Sequence, residues 1–103
     1  MRRVPMYKNR TVFDDLGDCL NHTAQAWASG TDSADTIAKA VVSHCQTEFD
    51  LYEKQETAAH RTNMPAGEAR AEFDEDRAGI EDEAREYVVE ARAAHCPARS
   101  FPY

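Results

Sequence analysis

Long apolar runs are missing from this 103-residue chain. No stretch approaches the roughly 20 apolar residues a helix needs to cross a bilayer, so no membrane segment is expected. Met1-Arg2-Arg3 begins as a signal peptide would, but Lys8, Arg10, Asp14 and Asp15 leave no room for the apolar region such a peptide requires. The expectation is a soluble protein made without secretion, cytoplasmic or virion-associated.

Cysteine is scarce as well. Cys19, Cys45 and Cys96 are odd in number and widely spaced, which reads as buried thiols in a reducing compartment rather than a disulfide framework. There is no C-x-x-C or H-x-x-x-H step of the kind that holds zinc; the nearest is Cys19 to His22. Those two lack an orienting third residue, so thiol catalysis is not indicated. Glycine-rich phosphate loops are absent. With no nucleophile constellation and carboxylates placed along a solvated face, the chain reads as a non-enzyme without cofactor or metal. A calcium loop over residues 74–85 fails too: Asp74, Asp76 and Gly79 fit, but Ala78 replaces the fifth ligand and Arg85 stands where a bidentate glutamate is required.

Charge is plentiful and uneven. Charged residues make up 30% of the chain and the net charge is −7. The first ten residues carry Arg2, Arg3, Lys8 and Arg10 with no acid, whereas residues 72–90 hold nine acids against Arg77 and Arg85. The basic arm, with the tail aromatics Phe101 and Tyr103, forms the first candidate partner-binding set; direct contact with nucleic acid stays open. Glu72, Glu75, Asp82, Glu86 and Glu90 fall on the side of their helix away from Phe73 and Ile80 and form the second, a negative strip able to imitate a phosphate backbone.

Periodicity is helical throughout, and no segment alternates as a strand does. Val12, Phe13, Leu16, Leu20, Ala24 and Trp27 share one face of a first helix, capped by Thr11 and ending near Ser29-Gly30. After a turn capped by Asp32 or Ser33, the stripe Ile37, Val41, Cys45, Phe49 and Tyr52, with Ala34, Ala38 and Ala59, predicts one continuous helix to about Arg61. Pro65 opens a third helix over 65–94, carrying Ala69, Phe73, Ile80, Ala84, Tyr87, Val88 and Ala91 and stopping before Cys96-Pro97. The expected fold is all-α: an elongated three-helix bundle built on a long antiparallel hairpin. It has a basic arm (1–10), one helical domain (11–96) and an extended tail (97–103).

One dipeptide occurs twice, His44-Cys45 and His95-Cys96. Neighbours on a helix point about 100° apart, so neither pair converges on one ion. A site shared between Cys45 and His95 would be about 15 Å out of register in a hairpin folded at Pro65. The function expected is a small adaptor or assembly protein working through protein contacts, with self-association possible because large aliphatics are few. A phage particle component or prophage accessory protein suits that profile. The alternative is an acidic inhibitor that mimics nucleic acid and fills a basic groove on its target.

Overall fold

Thr11 opens the first helix as the sequence predicts. Its hydroxyl accepts from the Asp14 N–H at 3.1 Å while the Asp14 carboxylate accepts from the Thr11 N–H at 3.2 Å, so two orphan donors are satisfied reciprocally. The computed structural model describes residues 11–100, with side chains described for 11–94; the basic arm and residues 101–103 lie outside that range. Among the described residues every regular element is helical.

Helix α1 spans Val12–Trp27 and buries Leu16, Leu20 and Ala24, with Ala28 just beyond its end. The steps of four leave the flanking aromatics outside. Phe13 and Trp27, expected on the apolar face, are 49% and 39% exposed, because Trp27 sits one residue, about 100°, from the line that ends at Ala28.

Of the two candidate caps for the next helix, Ser33 is the one used: its hydroxyl accepts from the Thr36 N–H at 3.1 Å. Helix α2, Ala34–His44, buries Ile37, Ala38, Val41 and Val42. The continuous helix expected to Arg61 is interrupted at Cys45, whose φ of −96° and ψ of 25° leave the α region. Its N–H is shared between the carbonyls of Val41 and Val42. Helix α3, Gln46–Glu56, begins at once and passes into a π turn, Thr57–Arg61. A π turn takes one residue more than an α turn. Arg61, eight residues beyond Glu53, thereby returns to Glu53's face and both are buried, while Ala59, expected inside, is exposed.

Helix α4, Ala66–Ser100, is 35 residues long, about 52 Å at 1.5 Å per residue. It runs through Pro97 instead of stopping before it, so residues 97–100 are helical and not extended. Pro97 lies in the helix's closing residues, where its missing N–H deprives only the Ala93 carbonyl of a partner.

Leu16, Leu20, Val41, Val42, Phe49, Ala84 and Val88 form the centre of the core. Helix α1 packs against α2, α3 and α4, and α2 packs against α4. The body measures 60 × 45 × 18 Å. Toward the π turn, α3 and α4 meet through side chains: Phe49 lies edge-on to Phe73 with centroids 5.5 Å apart, and Arg77 crosses the Phe49 ring and donates to the Gln46 side chain at 3.2 Å.

Candidate functional site: a buried arginine junction and an acidic face

The first candidate set, Arg2, Arg3, Lys8, Arg10, Phe101 and Tyr103, falls outside the described residues. The acidic set does not stay together. Glu72 turns to Arg61, its carboxylate 3.0 Å from the guanidinium. Asp82 pairs with Arg85 at 2.7 Å, and Arg85 also reaches Asp35. Glu75, Glu86 and Glu90 remain exposed and make no ion pair among the described residues. Glu72 and Asp82 are thus engaged by arginines, Asp82 while still exposed, and Glu75, Glu86 and Glu90 are the three of the five without an ion pair among the described residues.

Cys19 and Cys45 are joined by a disulfide, with the Cα atoms 6.0 Å apart, which corrects the reading of Cys45 as a buried thiol. Neither sulfur of a disulfide carries a hydrogen. The Thr23 hydroxyl, 3.8 Å from the Cys45 sulfur and 4.0 Å from that of Cys19, is consequently the donor, with one hydrogen shared between the two. Sequence reasoning missed the bond although its signal was present: Cys19 and Cys45 each lie thirteen residues from Asp32, in the turn joining the two helices, so antiparallel packing sets them opposite each other. The neighbouring histidine does no work at the bond. His44 is exposed and lies edge-on to Trp27, with centroids 5.2 Å apart. An open groove between α1 and α3 passes Cys19, lined by Val12, His22, Glu48 and Leu51. Among the described residues no three His, Cys, Asp or Glu side chains are grouped to hold a metal ion.

The densest electrostatics lie at Arg61, a residue that periodicity and charge counting do not single out. It is 6% exposed and spreads its guanidinium over three carboxylates: Nη1 to Glu53 at 2.8 Å, Nε to Glu72 at 3.0 Å and Nη2 to Asp76 at 2.5 Å. The π turn supplies the cation, α3 the first acid and α4 the other two. These hydrogen bonds, foremost that to Glu53, hold the guanidinium still more firmly protonated than usual. Glu53 is also 6% exposed, and its Oε2 has no hydrogen-bond partner. Burial first, then the contact with Asp76, pushes its carboxyl up to about 7, against the pull of Arg61. Burial and the acids Glu56, Asp76 and Glu53 also raise the adjacent Tyr52 hydroxyl. Steps of four from Ile37 through Val41, Cys45 and Phe49 arrive at Glu53. A glutamate at the next core position was the available sign of a buried ion pair.

Compared with protein-family models, with curated proteins and with solved structures, the chain matches none.

Proposed function

We propose that the chain is a small non-enzymatic adaptor or assembly protein, an elongated three-helix bundle on a long helical hairpin, acting through protein–protein contacts. The observation that carries this reading is where large apolar side chains are left. Phe13, Leu51 and Val89 are 49%, 51% and 52% exposed, although the core has to rely on alanine and valine at many positions. Leu51 lines the α1/α3 groove, and the Phe13 ring lies tilted against that of Tyr52 in α3, with centroids 5.5 Å apart. Covering the exposed half of each against a partner contributes about 1 kcal/mol per side chain. The arm residues Arg2, Arg3, Lys8 and Arg10 and the tail aromatics Phe101 and Tyr103 belong to the same proposal as docking elements, and a second copy of the chain is one partner of suitable chemistry. A phage particle component or prophage accessory protein is its narrower form. The Cys19–Cys45 bond supports an oxidising setting in place of the reducing one expected from the cysteine count.

Capture of partners on the tagged full chain, with identification by mass spectrometry, tests the reading when repeated with Phe13→Ser/Leu51→Ser and with residues 1–10 deleted. Both variants should lose the same partner; recovery undiminished in both sinks the adaptor reading. The nucleic-acid mimic remains the second reading because Glu75, Glu86 and Glu90 keep an outward negative group. Reversing those three charges to lysine should abolish binding by a mimic and leave an adaptor's nearly unchanged.

A further inference from the structure

Glu53 presents a buried carboxylate oxygen that no donor reaches. Oε1 receives the Arg61 Nη1–H at 2.8 Å, while Oε2 has no partner. An ionised carboxylate only accepts hydrogen bonds, and leaving one of its oxygens dry and unpaired is costly. The surroundings make the ionised form worse. The π turn contributes one cation, Arg61; α4 contributes Glu72 and Asp76; and α3 itself contributes Tyr52 and Glu56. At this end α1 presents the ring of Phe13, tilted against Tyr52. One guanidinium thus faces three carboxyl groups, and Asp76 accepts from Nη2 of the same guanidinium whose Nη1 holds Glu53. No metal-holding group occurs among the described residues to neutralise the excess. A proton on Oε2 removes the unpaired charge: neutral Glu53 keeps Oε1 as acceptor for Arg61 and leaves Glu72 and Asp76 as the guanidinium's two anions.

We propose that Glu53 holds a proton in the folded protein, and that this proton is the pin of a pH-sensitive latch closing α3 and the π turn onto α4. Its loss leaves three carboxylates competing for one buried guanidinium and loosens the junction, while the α1/α2 end is unaffected. The working range comes from the raised carboxyl. Folded Glu53 titrates at about 7 against 4.5 for the free group, so the stabilisation is complete below the lower value and lost as pH rises through the higher one.

Carboxyl-carbon NMR of the full chain tests the proton directly. The Glu53 resonance should titrate with a midpoint near 7, and a midpoint in the ordinary carboxylate range, about 4.3, overturns the proposal. Hydrogen exchange tests the latch. Protection factors for residues 57–61 and 66–76 should fall at least about tenfold between about pH 6 and about pH 8 in the natural chain, with residues 34–44 unchanged. In Glu53→Gln, whose neutral amide still accepts from Arg61, protection should stay level across that range. The same fall in Glu53→Gln, or a fall spread evenly over all helices, overturns the latch. Should the variant not fold, the NMR midpoint and the regional pattern in the natural chain still decide.

Discussion

The side chain of Arg92, on α4, ends against the backbone of Ala28, at the close of α1, with Nε 2.8 Å from the carbonyl oxygen. The same guanidinium donates to the Gly30 carbonyl at 2.9 Å and the Asp32 carbonyl at 2.6 Å. Helix α1 has no basic residue in its last turn. One arginine from another helix therefore supplies both the positive charge and the donors that a helix C-terminus calls for. Replacing Arg92 with alanine should cost about 2 kcal/mol in urea unfolding, since three carbonyls lose a charged donor. Lysine should recover only part of that, because a single ammonium cannot reproduce the planar fork.

The disulfide should act as a staple more than a reactive centre. It closes a loop with a sequence separation of 26, for which chain-entropy arguments give about 3.5 kcal/mol. The Cys45 sulfur is fully buried, and Asp15, Asp18 and Glu48 line the groove at Cys19. Cys19→Ser/Cys45→Ser should lower unfolding free energy by about 3 kcal/mol, and reduction of the natural chain by a small thiol should speed up markedly in denaturant. Equal reduction rates with and without denaturant would remove the staple reading.

Gly79 stands on the exposed side of α4, and a Cβ built there meets nothing within 4 Å. Its φ is not positive. Gly79→Ala should accordingly stabilise the fold by about 0.5–1 kcal/mol through helix propensity alone, read as a rise in thermal midpoint with circular dichroism unchanged in shape. A lowered thermal midpoint would overturn helix propensity as the deciding term at this position.

Arg61→Met should be among the most damaging single changes outside the apolar core. It strands Glu53 and Asp76 together, and removal of one side of a buried ion pair costs about 3–5 kcal/mol. Pairing it with Glu53→Gln should restore a large part, since the excess buried charge goes too. The double-mutant cycle in denaturant measures that coupling.

How legible the molecule was in its sequence depends on the kind of interaction. Local rules served well: the Thr11 and Ser33 caps, the Gly30 turn and the stripe through Ile37, Val41 and Phe49 are as expected, because capping and periodicity are properties of short segments. Pro97 and the π turn were not: the missing N–H of Pro97 falls in the closing residues of α4, and the π turn takes an extra residue that brings Arg61 round to Glu53. Cys45 was legible as a core position and not as half of a disulfide, for want of aligning two helices across their turn. Arg61 and Arg92 were invisible for a different reason. Each acts through atoms displaced from its own helix stripe, one by an extra residue in a turn and the other by the reach of a long side chain. At the candidate site, counting charges found an acidic segment but could not tell Glu72, paired with the buried Arg61, from Glu86, left exposed without an ion pair among the described residues.

Along its shortest axis the Cα trace of the body spans 18 Å, room for two layers of helices whose axes pack about 8–10 Å apart. Two layers enclose a single interior plane, and it is there that Leu16, Leu20, Val41 and Phe49 lose all contact with water. Every helix keeps its other side outward. Leu51 and Val89 are half exposed because they stand on those outer sides.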